Sequence, residues 1–188
     1  MSNKWIFVLV VVGGLALLGI GGVSAYNNLV TLNEGINNQW AQVENVLQRR
    51  YDLIPNLVNT VKGYAKHEKD VLEDVTRLRS QWGAAQTPND KIQAAQNLEG
   101  ALSHLMVVVE KYPDLKANQN FLALQDELAG TENRIVVERM RYNDVVKSYN
   151  VAVRQFPGSL IARFAGFQTR DVYFEAEKGA AEAPKVEF

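Results

Sequence analysis

From Trp5 to Val23 the chain reads WIFVLVVVGGLALLGIGGV without a charge, and the next charged residue is Glu34. About 20 apolar residues rising 1.5 Å each cross a hydrocarbon layer of roughly 30 Å, so this segment predicts a membrane-spanning helix. Beyond it, apolar residues recur in alternating steps of three and four. The track runs from Tyr26 through Leu29, Ile36, Trp40, Val43, Leu47, Ile54, Leu57, Val61 and Tyr64 to Val71, Val75, Leu78 and Trp82, and its polar members are Asn33, Arg50 and Glu68. Such spacing is the seam of a coiled coil or helical bundle, whereas a strand alternates every second residue. One helix over this whole track would be about 85 Å long, too long for one element of a compact domain. The turn is expected at KHEKD, residues 66–70.

Two more helices follow. In Thr87-Pro88-Asn89-Asp90, Thr87 can cap, Pro88 suits the first helical position and Asp90 the third. That helix ends before Pro113. The last starts near Asn118 or Asn120, carries Phe121, Leu128, Ile135, Tyr142 and Tyr149 on one face, and stops at Pro157-Gly158. Short connections make successive helices antiparallel neighbours. The expected fold is therefore all-α: an N-terminal transmembrane helix followed by an antiparallel up-down four-helix bundle with two long helices. The middle helices, 70–84 and 88–111, are too short to reach the membrane, which leaves a two-helix stalk near it. The chain divides into an anchor at 1–25, a bundle at 26–158, and a short amphipathic helix with a C-terminal tail at 159–188. Matching the tops of the long helices sets Arg50 level with Val136 and residue 160 level with Tyr26.

Arg50 puts a charge on the seam, and an unpaired charge there would cost several kcal/mol, so a carboxylate partner is expected. Glu132 and Glu138 lie within about a turn of it. Pro55 removes the hydrogen bond to the Tyr51 carbonyl and predicts a bend. Arg50, Pro55, Glu132 and Glu138 form the expected structural polar seam. After Pro157, Ser159 can cap a short helix whose apolar face holds Leu160, Ile161, Phe164 and Phe167, with Arg163 placed for lipid head groups. This predicts a helix at the membrane interface; the competing reading is a plug for the base of the stalk. The Ala- and Glu-rich stretch 175–184 reads as a mobile tail.

Composition narrows the chemistry. The 188 residues carry a net charge of −1 with no run of basic residues, which gives no footprint for nucleic acid. No cysteine is present, which excludes disulfides, thiolate catalysis and Cys-ligated zinc. Neither His67 nor His104 stands three residues after a glutamate, as a di-metal site in a bundle requires. The acidic neighbours of His67 (Glu68, Asp70, Glu73 and Asp74) read as a solvated face. Phosphate-cradling, dinucleotide and nucleophile-elbow motifs are all missing. No catalytic, cofactor-binding or metal residue is assigned, and no cofactor is expected.

Between residues 5 and 48 the charges are Glu34 and Glu44, while amide side chains dominate the polar positions. Such a helix packs on copies of itself without burying charge, with Gly21 and Ala25 as a small-xxx-small pair and Asn38 on the stalk as expected oligomer contacts. Lys4 flanks the span on its N-terminal side, and the next basic residue is Arg49. The positive-inside rule then favours a cytoplasmic N-terminus and an extracytoplasmic bundle. Val23-Ser24-Ala25 also presents small residues where a signal peptidase cuts, so cleavage is the competing reading of the span.

RRYDLIPNLVNTVKGYAKHE at 49–68, YNNLV at 26–30, YPDLKANQNFLALQDELAGTENRI at 112–135, FPGSLIARFAGF at 156–167 and the closing PKVEF together resemble the LemA family. The resemblance implies an N-terminally anchored helical bundle with no established molecular activity, and it brings no catalytic residues to this chain. The family is described with its N-terminus outside, opposite to the charge-based orientation, so a cytoplasmic bundle stands as the alternative. Two function classes follow. One is a non-enzymatic membrane-anchored scaffold in the cell (inner) membrane, working through helix packing and homo-oligomerisation, with the lipid bilayer and a membrane protein as partners. The other is an extracytoplasmic binding or adaptor module for a membrane protease or a soluble ligand.

Overall fold

A computed structural model describes residues 3–174. Among the described residues the structure is all-α: α1 (Asn3–Tyr64), α2 (Lys69–Ala84), α3 (Pro88–Val109), the single turn α4 (Pro113–Lys116), α5 (Gln119–Arg154) and α6 (Gly158–Ala165). The apolar segment and the seam beyond it form one continuous α1 of 62 residues, with Pro55 inside. An 18-residue window of α1 is apolar enough to cross a membrane and is not buried by the rest of the chain.

The punctuation is local chemistry. Thr87 Oγ1 accepts the Asp90 N–H at 3.1 Å and donates to the Asp90 carboxylate at 2.7 Å, and Pro88 occupies the first turn of α3. This pair satisfies an otherwise orphaned helix-start donor. Asn118 starts α5 in the same way, its Oδ1 accepting the N–H groups of Asn120 and Phe121 at 3.0 and 3.1 Å. α6 ends at Gly166, whose φ of +79° is left-handed, while the Phe167 N–H closes back onto the Ala162 carbonyl at 3.0 Å. The expected Ser159 cap is not formed, since α6 has no side-chain cap; the Ser159 N–H instead donates to the Gln155 carbonyl at 2.7 Å.

The chain forms two compact units. The first holds residues 3–41 of α1 together with 141–171. Its core includes Leu29, Ile36, Tyr142, Val146 and Tyr149, all buried, and Trp40 meets the edge of Tyr142 with ring centroids 5.6 Å apart. The second holds residues 42–140 and 172–174. Its core draws on Val43, Leu47, Ile54 and Leu57 from α1, Val75 and Trp82 from α2, Leu98 and Leu105 from α3, and Phe121 and Ile135 from α5. The buried Thr131 turns its hydroxyl onto the Leu128 carbonyl at 2.8 Å, which lets a polar side chain sit among these residues. The expected mobile tail at 175–184 lies outside the described residues.

Candidate functional site

Arg50 lies on α1 of the second unit beside Glu132, and the two form an ion pair. Glu132 is thus the level partner, where matched helix tops predict Val136, and the difference is one helical turn of α5. The far end keeps the same register. Asn118 Nδ2 donates to the Tyr64 hydroxyl at 2.9 Å, a pair two residues earlier on each helix than the 66 and 120 of the sequence reading. Arg50 is also 3.9 Å from Glu99, whose other oxygen is 3.3 Å from Arg139. Two arginines and two glutamates from α1, α3 and α5 thus form one balanced cluster, with the Arg50 and Glu99 side chains 13% exposed. Burial pulls the Arg50 guanidinium below its ordinary pKa; Glu99 raises it again and Arg139 adds to the lowering. Glu138, the other expected partner, is half-buried on α5 and has interactions of its own.

The carbonyl that Pro55 leaves without its helical donor is also satisfied. Arg79 of α2 donates from Nε to the Tyr51 carbonyl at 3.2 Å. The Tyr51 ring stacks on Trp82 at 3.8 Å between centroids, Lys91 sits 5.4 Å over the Trp82 ring, and Lys91 pairs with Glu44. Sequence reasoning missed Glu99, Arg139 and this stack. The available signal was a charge between apolar positions, as Glu99 stands between Ala95 and Leu102 and Arg139 between Ile135 and Tyr142. Choosing Glu138 for the seam hid Arg139.

In the first unit the chain after α6 folds back on α5. The Tyr149 hydroxyl donates to the Gln168 carbonyl at 2.9 Å, and the Asn150 side chain both donates to the Arg170 carbonyl (2.7 Å) and accepts its N–H (2.8 Å). Arg170 reaches Asn33 of α1 at 3.1 Å. The predicted interface residues divide. Phe167 meets Tyr26 edge-on at 5.8 Å, and Ile161 lies 3.8 Å from where a Cβ on Gly22 would stand. Phe164 is 83% exposed, as Phe156 is at 82%; Leu160 is half-exposed, and Arg163 is exposed. Gly21 and Ala25 border a cavity of about 360 Å³ shared with Ala152 and Gly158, and Asn38 is exposed.

No group of three or more His, Cys, Asp or Glu side chains among the described residues is placed to hold a metal. Of the acids near His67, Glu73 pairs with Lys69, Asp74 with Arg77, and Glu68 accepts from the Tyr112 hydroxyl.

The model of the LemA family matches residues 39–188. Among similar proteins, magnetosome protein MamQ 2 of Paramagnetospirillum magneticum is 27% identical, covering 96% of this chain and 74% of its own length. Magnetosome protein MamQ of Magnetospirillum gryphiswaldense is 26% identical over 86% of this chain and 68% of its own. Protein LemA of Metamycoplasma hominis is 24% identical over 98% of this chain and 83% of its own.

Proposed function

The chain belongs to the LemA family, and from that premise we propose that it is a non-enzymatic, membrane-anchored assembly protein. In this reading α1, α2, α3 and α5 run up-down-up-down as a four-helix bundle, and α1 anchors it in the bilayer. The observation that carries the membrane-proximal part is the seating of Ile161 against Gly22, inside the last turn of the apolar segment, with Phe156 and Phe164 exposed nearby. An α6 held at that level lies at the headgroup boundary, with its outward Phe164 in the acyl region and Arg163 among the head groups. A fluorophore at residue 164 in lipid bilayers should be quenched by shallow lipid-attached quenchers. Absence of quenching would leave α6 as a plug of the stalk.

Assembly of copies is supported by the exposed amides of α1 in the first unit, Asn27, Asn28, Asn37 and Asn38. Light scattering on the full chain in mild detergent should give a homo-oligomer, weakened by Asn38→Lys through like-charge crowding; a uniform monomer would sink the idea. Lys4 supports an extracytoplasmic bundle, while the family description supports a cytoplasmic one. The cysteine-free sequence lets one introduced cysteine at position 38 decide, through its labelling by a membrane-impermeant maleimide in intact cells. The adaptor reading is favoured by a trough on the second unit.

A further inference from the structure

An open trough of about 620 Å³ runs between the end of α1 and the start of α2 in the second unit. Its floor is apolar: Ala65 and Leu72 are buried and Val58 is half-buried. The wall on α2 is made apolar by local bonding, since Thr76 and Ser80 both line it and turn their hydroxyls onto their own helix. Thr76 Oγ1 donates to the Leu72 carbonyl at 2.8 Å and Ser80 Oγ to the Thr76 carbonyl at 3.0 Å. What the trough then meets is largely carbon, over about two helical turns on the α1 side and about three on the α2 side.

The rim is cationic. Lys62, Lys66, Lys69 and Arg77 border the trough against one acid, Glu73. Lys69 is paired with Glu73 and Arg77 with Asp74, whereas Lys62 and Lys66, both exposed, have no ion-pair partner among the described residues. Within the chain, then, the α1 side of the trough keeps two lysines uncompensated beside an apolar floor. A partner that fits presents apolar side chains at i, i+3, i+4 and i+7 with carboxylates flanking them, which is helix-in-groove recognition.

We propose that this trough is a docking groove for an acidic amphipathic helix of another protein. The trough residues belong to the second unit and α6 and the stalk amides to the first, so the proposal does not rest on oligomer formation.

The test uses the full chain in nanodiscs of uncharged lipid and a fluorescent synthetic helix with leucines at i, i+3, i+4 and i+7 and glutamates beside them, read by anisotropy. Saturable binding is expected, weakening as salt rises. Lys62→Glu with Lys66→Glu should reduce affinity at least about tenfold, which is a loss of 1.4 kcal/mol. Thr76→Trp, which fills the trough from an exposed position and leaves every lysine in place, should reduce it comparably. Lys147→Glu, on α5 outside the trough, should not; unchanged helicity and melting confirm folding of each variant. The proposal is overturned if the peptide does not bind, if Thr76→Trp binds as well as the parent chain, or if polyglutamate of equal charge competes as strongly, since the last two results mean attraction without docking.

Discussion

In the unit formed by residues 42–140 and 172–174, helices are matched by charge: Arg50 and Arg139 against Glu99 and Glu132, Lys91 against Glu44, and Lys91 again over the Trp82 ring. In the unit formed by 3–41 and 141–171 the matching is done largely by neutral groups. There Trp40 meets Tyr142, Tyr26 meets Phe167, and the side chains of Tyr149 and Asn150 bind main-chain atoms of Gln168 and Arg170. The difference follows from surroundings. The first unit carries the apolar span, where an uncompensated charge is expensive, so neutral hydrogen bonds and rings fix register at lower desolvation cost. Where three helices converge, charges of both signs can be gathered in equal number, and the cluster specifies which helical turn faces which.

The largest effect is expected from unbalancing the charged cluster. Arg50→Met leaves Glu132 without its main partner and should destabilise the second unit by about 3 kcal/mol, the low end for buried pairs because Glu132 keeps a third of its side chain exposed. Adding Glu132→Met should recover most of that in thermal unfolding followed by circular dichroism. If the double mutant loses as much as the two single mutants together, the cluster does not act as a pair-matched lock.

Next comes the neutral corner of the other unit. A Cβ on Gly158 would overlap the Ala152 carbonyl oxygen, and backbone is the neighbour least able to yield. Gly158→Ala should cost about 2 kcal/mol and speed hydrogen exchange in 158–171 while leaving α2 and α3 protected. Equal loss of protection in α2 and α3 would mean that the two units do not respond independently.

The smallest effect sharpens the contrast from the charged side. The buried Tyr51 hydroxyl has no hydrogen-bond partner among the described residues, and burial raises its pKa well above the ordinary tyrosine value despite Arg50 and Arg79, which act to lower it. Unfolded chain ionises this group near pH 10, so above that the unfolded state sheds a proton that the folded state keeps, and stability falls as pH rises. Tyr51→Phe should stabilise by about 1 kcal/mol at neutral pH and flatten the alkaline decline. An unchanged decline above pH 10 would assign it to other groups.

Much of the helix plan was legible because it is local. Steps of three and four, the Thr87 and Asn118 caps, the break at 66–70 and the stop at Pro157 each act within a few residues of themselves, and the observed elements α2, α3 and α5 begin within a residue or two of where those signals fall. The seam also read correctly at Leu29, Val43, Ile54, Leu57 and Val61. It failed at an aromatic edge, where Tyr64 is exposed and Ala65 buried, because a side chain at the rim of a seam takes whichever neighbour lets its polar or bulky end reach open space.

By itself, then, the sequence determined the helical class, the apolar N-terminal segment, the helix limits and the need for a partner to Arg50, since each depends on period, capping or the cost of one buried charge. Only the tertiary structure decided that Glu132 supplies that partner, that Glu99 and Arg139 join it, and that Arg79 covers the carbonyl freed by Pro55. The choice of Glu132 turns on a one-turn shift between α1 and α5. A helix repeats its pattern every turn, so the seam alone accepts several registers, and the choice among them falls to contacts between residues far apart in the chain, such as Arg50 and Glu132.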